Sequence, residues 1–151
     1  MRTYVALFDR RFQGSFHWAL SLSEGDPVGT LPTFHITNFD IADPWRTAHG
    51  PIDLAHDERL VGCVALPEIE DAVEDIAEFI GQYDSAQGDS VTEGNVPRSC
   101  SWWLIRTVQD MVQAGVLEMD TRGFYQRILA RGVQLQSGQG VLRAGVRVLD
   151  Y

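Results

Sequence analysis

One cysteine stands where a helix is predicted to begin, and a thiol at such a position can act as a nucleophile. Cys100 follows Ser99, which can cap the free N–H groups of the helix, and Pro97 discourages an earlier start. A thiol in the first turn lies at the positive end of the helix dipole, which favours the thiolate and lowers the pKa of the thiol. The alternative is a buried cysteine that packs as a small hydrophobic side chain, the commoner role of a free cysteine. The helix alone favours this buried role, so a nucleophilic role for Cys100 requires a histidine within reach of its thiol.

Two histidines fall on predicted strands that can pair. His17 lies in the segment FHWALSLS, where large apolar residues alternate with small or polar ones, and His35 lies in the returning segment, residues 31–39. If the intervening turn closes symmetrically, the two lie within about one residue of directly opposite each other. One could then take the proton of Cys100 as general base while the other orients it. Alternatively, both are half-buried strand histidines with hydrogen-bonding neighbours.

The other two histidines, His49 and His56, fall in residues 40–58, where no periodicity is sustained. This stretch is predicted to be a long connection. Because no regular element sets the direction of either ring, both are predicted to be surface residues.

Composition excludes several classes of function. The chain has 151 residues, a net charge of −9 and no cluster of Lys and Arg, which argues against a nucleic-acid-binding protein. Cys63 and Cys100 show no zinc-type spacing, so no metal and no cofactor are expected. Reduced thiols, no signal peptide and no membrane-spanning apolar run predict a cytoplasmic protein. One domain, 1–151, is expected, and its oligomeric state is left open.

The elements that must position these residues mix strands and helices. An apolar run at residues 59–66 predicts a central strand that buries Cys63 as an inert thiol, and Pro67 is predicted to start the next helix. The polar residues 84–98 predict a mobile loop that gates Cys100. The remaining predictions are strands at 3–8, 16–23, 31–39 and 146–149, helices at 68–83, 100–115 and from Asp120 or Thr121 to about 131, and a flexible break at 134–140.

In the order of these residues the chain resembles the circularly permuted branch of the NlpC/P60 (papain-like) thiol superfamily, which includes lecithin:retinol acyltransferase-like and PPPDE-like proteins. In that branch a strand carrying histidine comes first and a helix beginning with cysteine comes later. The matching segments are FHWALSLS with His17, TFHITNF with His35 and RSCSWWLIRTVQDMV with Cys100. The chain also looks like uncharacterised fungal proteins that carry the HWAL, VGCV and CxxW patterns. The resemblance implies an α+β fold in which an antiparallel sheet packs against helices.

The resemblance and the residues together predict a cysteine-dependent hydrolase or acyltransferase acting on an acyl ester, thioester or amide carbonyl. Cys100 would attack, His17 would act as general base and acid, and His35 would orient it. The substrate would be a small-molecule or peptide acyl compound held by tryptophans: Trp18, Trp45, Trp102 and Trp103. Two alternatives remain: a non-catalytic protein of the same fold that binds a partner through Trp102 and Trp45, or a thiol-dependent ligation or cyclisation step in small-molecule metabolism.

Overall fold

A computed structural model of the chain describes residues 1–11, 13–38, 43–85 and 99–151. In these residues a seven-stranded sheet packs with three helices, which confirms the predicted α+β class. The strands are β1 (Arg2–Asp9), β2 (Phe16–Ser23), β3 (Thr30–Phe34), β4 (Ile36–Thr37), β5 (Arg46–Thr47), β6 (Gly50–Asp53), β7 (Leu60–Glu68), β8 (Val141–Arg143) and β9 (Val146–Asp150). The helices are α1 (Val73–Gly81), α2 (Cys100–Gln113) and α3 (Phe124–Gln136), with a short 3₁₀ helix at Leu54–His56.

The large sheet has the strand order β6-β3-β2-β1-β7-β9-β8, and β4 pairs with β5 in a separate two-stranded sheet. Every pair in the large sheet is antiparallel except β7 with β9, which are parallel. The expectation of an antiparallel sheet therefore needs one correction. A parallel pair requires a long crossover, and the three helices lie in the chain between β7 and the β8–β9 hairpin.

Side chains alternate between two faces of the sheet, and each face has its own apolar core. The helix-side core joins β2 to α2 and includes Phe16, Trp18 and Cys100. The inner core covers the opposite face and includes Phe8, Ala19 and Cys63. Cys63 and Cys100 therefore belong to different cores.

The sheet curls around the inner core, because its two edges approach each other. The Arg143 guanidinium on β8 lies 3.5 Å from the Asp26 carboxylate on the β2–β3 turn. A Cβ atom at Gly145, in the β8–β9 turn, would lie 3.4 Å from the Cβ of Ala55 in the 3₁₀ helix. Small side chains on the inner face leave room for this curvature.

Several predicted boundaries are wrong, and backbone pairing explains most of them. Pro67 does not start a helix: β7 continues through it to Glu68, which pairs with Arg2. The β1–β7 ladder shifts register between Arg2 and Tyr4, and this irregularity accommodates a proline that has no N–H to donate. Helix α1 begins only at Val73.

The remaining differences concern short elements. Residues 40–58 contain β5, β6 and the 3₁₀ helix rather than an irregular connection, and β8 lies beyond the predicted break at 134–140. Helix α3 begins at Phe124 after Gly123, whose φ of 66° ends the preceding turn, and it extends to Gln136. Most of the predicted loop, residues 86–98, lies outside the described residues.

Candidate active site

Helix α2 begins at Cys100, as the sequence predicts, but its N-terminus is not capped in the expected way. Ser99 has an extended backbone with φ −167° and ψ 179°, which suits the N-cap position. Its hydroxyl makes no bond to a backbone N–H of the helix and instead lies 2.7 Å from the hydroxyl of Ser101. The expected cap is therefore wrong, because the hydroxyls of the two serines that flank Cys100 bond to each other instead.

The Cys100 thiol is buried, with 1% of the residue exposed, yet polar groups surround its sulfur. Nη2 of Arg10 donates a hydrogen bond to Sγ over 3.5 Å, and the backbone N–H groups of Trp18, Ser101 and Cys100 itself also face the sulfur. Burial raises the pKa of the Cys100 thiol, while Arg10 and the three N–H groups oppose that rise. Burial outweighs them, which corrects the sequence-based expectation of a lowered pKa.

Arg10 reaches the sulfur from the turn between β1 and β2. The side chain of Asp9 accepts a hydrogen bond from the N–H of Arg11 over 2.8 Å, and Arg11 has φ 65°. The N–H of Asp9 donates to the carbonyl of Arg59 over 2.8 Å. These contacts fix the backbone on either side of Arg10 and hold it opposite the start of α2.

His17 and His35 form the pair that the hairpin predicts. Nε2 of His17 lies 2.8 Å from Nδ1 of His35, and the rings meet edge to face with centroids 4.9 Å apart. The strands pair Leu20 with Phe34 and Ser21 with Thr33, so the two histidines are diagonal neighbours rather than directly opposite. Their contact is a hydrogen bond, which holds each ring in a defined orientation.

Both rings of this pair are neutral near pH 7. Burial is the main cause that lowers the pKa of His17 to about 3, and the nearby charges of His35, Arg10 and Arg59 lower it further. Burial also lowers the pKa of His35 to about 4, with contributions from His49 and Arg59. A neutral imidazole can accept a proton, but a pKa of about 3 makes His17 a weaker base than an ordinary histidine.

The His17 ring and the Cys100 sulfur lie on opposite faces of β2, which corrects the expectation that they face each other. Cys100 belongs to the helix-side core with Trp18, whereas the His17 ring lies 6.2 Å, centroid to centroid, from Phe8 of the inner core. Among the described residues, β2–β3 pairing stops at Leu20, and the N–H of Trp18 faces the sulfur. The nitrogen of Trp18 is only about 2.4 Å from the Cα of His17, given standard bond lengths. Described residues show no direct hydrogen bond between the His17 ring and Sγ. Because Nε2 of His17 contacts His35, Nδ1 is the nitrogen left for a proton from Cys100.

His49 is not the surface residue that the sequence predicts. Its Nδ1 accepts a hydrogen bond from the backbone N–H of His35 over 3.2 Å, and its ring lies between Phe34 and Trp103, with centroids 5.2 and 5.5 Å away. Burial lowers the pKa of His49. His49 lies between the short strands β5 and β6, which position its ring beside Phe34 and Trp103. His56, in contrast, is exposed, with 83% of its side chain accessible, as predicted.

The four tryptophans that the sequence predicts to bind substrate lie in the helix-side core or against it. Trp18 stacks on Tyr125 of α3 at 5.6 Å, and Trp103 donates from Nε1 to the carbonyl of Asp84 over 2.8 Å. Trp18, Trp102 and Trp103 are at most 5% exposed, and Trp45 is half-buried against the helix-side core. Three of them are core residues in this conformation: Trp102 and Trp103 lie in the stretch of α2 from Cys100 to Ile105, all of which is buried, and Trp18 lies on the helix-side face of β2.

Cys63 is fully buried in the inner core, as predicted, and burial raises the pKa of its thiol to about 12. The part of the chain that the structure describes contains no group of three His, Cys, Asp or Glu residues able to hold a metal ion. Within the same residues no helix is both long enough and apolar enough to cross a membrane.

Two residues of this region escaped sequence reasoning, Arg10 and His49. Arg10 contacts a sulfur 90 positions later in the chain, and no local periodicity reports such a contact. The available signal was the Asp9-Arg10-Arg11 break at the end of a strand, which marks a turn at the same sheet end as His17. For His49 the signal was the proline at position 51, which is typical of an edge strand.

Comparison with known proteins adds no family to this geometry. No protein-family model, no curated protein and no solved structure matches the chain.

Proposed function

We propose that the protein is a cysteine-dependent hydrolase or acyltransferase that acts on an acyl ester, thioester or amide carbonyl. The observation that carries the proposal is the polar environment of Cys100 Sγ at the start of α2: Arg10 donates a hydrogen bond to it over 3.5 Å, and the N–H of Trp18, the residue after His17, faces it. His17 is in turn oriented by His35. A nucleophile, a base and an orienting group thus come from neighbouring segments of the fold, and the proposal requires the His17 ring to turn from the inner face of the sheet toward the sulfur.

The proposed catalytic steps begin once the His17 ring has turned toward the sulfur. The Cys100 thiol gives its proton to Nδ1 of His17 as the sulfur bonds to the carbonyl carbon, and the carbonyl electron pair moves to oxygen. The N–H groups of Trp18 and Ser101 already face the sulfur, so they are within reach of that oxyanion. The intermediate collapses, the leaving group takes the proton from His17, and an acyl-enzyme remains. Water or an acceptor molecule then attacks the acyl-enzyme in the reverse sequence.

The resting site holds a neutral thiol and a neutral imidazole, because the pKa of Cys100 is raised and that of His17 is about 3. This favours proton transfer during attack over a preformed thiolate–imidazolium pair. Because both groups are already in these forms at pH 7, the reaction should become faster at higher pH only as the thiol ionises. Two unpaired thiols also suit a reducing compartment such as the cytoplasm, which we include in the proposal.

A second candidate is a non-catalytic protein of the same fold. The observation that favours it is the burial of Cys100, whose 1% exposure gives a substrate no access in this conformation. The first candidate requires the sulfur at the start of α2 to become accessible when substrate binds, whereas the second does not.

Intact-mass spectrometry after mixing with activated acyl donors tests the choice. A panel of aryl esters, acyl thioesters and anilides should produce an acyl adduct on the wild-type protein and on Cys63→Ala. Cys100→Ala should give no adduct. His17→Gln should acylate at least about 100-fold more slowly, since general-base catalysis typically contributes 10²–10⁴-fold. His56→Gln, an exposed histidine, is the matched control. An adduct that persists in Cys100→Ala, or none with any donor, would leave the binding protein as the better interpretation.

A further inference from the structure

We infer that Arg10 is a catalytic residue of this site: it carries the positive charge opposite the Cys100 sulfur when the thiol ionises, in place of an imidazolium. The inference rests on the proposed function, because it assigns a role within the same site. It goes beyond the expected cysteine and histidine groups, which include no arginine.

The geometry supports a dedicated contact. Nη2 of Arg10 lies 3.5 Å from Sγ, and Arg10 makes no ion pair within 4 Å with a carboxylate of the described residues. This is unusual in a chain of net charge −9, where five other arginines pair with acidic groups. The Asp9–Arg11 turn holds the backbone, so the side chain extends from the exposed surface inward to the sulfur.

Other groups around the sulfur cannot supply this charge. The titratable or charged neighbours are Arg10 on the β1–β2 turn and the His17–His35 pair beyond the Trp18 peptide, and Arg59 acts on that pair. His17 and His35 are neutral at pH 7 because burial lowers the pKa of both. A guanidinium stays protonated at any pH the protein tolerates. Arg10 therefore offers a fixed positive charge, while His17 only accepts and returns the proton.

The same cation serves the next step. When the sulfur bonds to a carbonyl carbon, the thiol proton moves to His17 and the negative charge moves from sulfur to the carbonyl oxygen. That oxygen lies one carbon away from the sulfur, so a guanidinium 3.5 Å from Sγ remains close to it. Arg10 and the N–H of Trp18 would both donate hydrogen bonds to the oxyanion. As the intermediate collapses, the electron pair on the oxyanion re-forms the carbonyl double bond, the bond to the leaving group breaks, and the leaving group takes the proton from His17.

Thiolate absorbance near 240 nm tests the inference without requiring substrate or solvent access to the sulfur. Titrations are compared with those of Cys100→Ala, in a Cys63→Ala background so that only one thiol ionises. Arg10→Gln should raise the pKa of Cys100 by at least about one unit, which lowers the thiolate fraction at pH 7.5 about tenfold. Arg10→Lys keeps the charge on a shorter, more flexible side chain and should give an intermediate pKa.

Arg11→Gln is the matched control, since it removes the same charge from the adjacent residue and should leave the titration unchanged. Circular dichroism confirms that each variant folds, and Arg10→Lys provides a second measurement if Arg10→Gln does not. An unchanged thiol pKa in folded Arg10→Gln, or equal shifts in Arg10→Gln and Arg11→Gln, would overturn the inference. Failure of every acyl donor would refute the proposed function but not the Arg10–thiolate contact, so the two results are distinguishable.

Discussion

Replacing the histidine pair should make the protein more resistant to mild acid. His17 and His35 remain neutral in the folded state down to pKa values of about 3 and 4. In the unfolded chain a histidine takes up a proton below about pH 6.5. Between these limits the unfolded state binds more protons, so stability falls as pH decreases through 6.5 and stops falling only near the folded-state values.

The size of the effect at pH 5 depends little on the exact folded-state pKa values, because both lie below that pH. For an unfolded-state pKa of about 6.5, lowering the pH from 7.5 to 5.0 reduces the free energy of unfolding by about 2 kcal/mol per histidine. Both rings keep some exposed surface, and solvent screening reduces the sum for the pair to about 3 kcal/mol. This is a large part of the stability of a domain of this size.

Urea unfolding at pH 7.5 and 5.0 measures the effect. Between pH 7.5 and 5.0 the free energy of unfolding should fall by about 3 kcal/mol less in the double variant His17→Gln/His35→Gln than in wild type. This holds even if the variant is less stable at pH 7.5. His56→Gln removes an exposed histidine and should keep the wild-type difference. If the double variant and wild type show the same pH dependence, the pair is not held neutral by burial and the reasoning fails.

Two further predictions follow from packing. A Cβ at Gly132 in α3 would lie 2.9 Å from Cδ2 of Phe16, so Gly132→Ala should lower the free energy of unfolding by about 1–2 kcal/mol, after the gain in helix propensity is subtracted. The double variant with Phe16→Leu should recover part of this loss, and a stabilised Gly132→Ala would contradict the contact. Alkylation of the native protein followed by peptide mapping should label Cys100 before Cys63, because burial raises the pKa of Cys63 to about 12. Preferential labelling of Cys63 would show that the inner core opens more readily than the start of α2.

Regular periodicity accounts for most of what could be predicted from the sequence. The alternation in Phe16–Ser23 predicts β2 to the residue, and Ser99-Cys100 marks the start of α2. The His17–His35 contact followed from these strands because a hairpin brings its own residues together.

Features set by distant pairing could not be predicted in the same way. The strands β5, β6 and β8 are only two to four residues long, too short to show a period. The parallel β7–β9 pair and the Arg10–Cys100 contact join segments far apart in the chain. The pKa of the Cys100 thiol also depends on tertiary burial. The helix start favours the thiolate and would lower this pKa, but burial in the core raises it by more.

The position of β7 between β1 and β9 has a consequence for the order in which the protein can fold. During synthesis β7 can pair with β1 early, whereas its partner on the other edge, through Cys63 with Val148, emerges only after all three helices. Until then the β7 edge presents unpaired N–H and C=O groups beside an apolar run, which is a template for association between nascent chains. Ribosome-bound chains that end before Val141 should therefore depend on chaperones, and chains that include Asp150 should not.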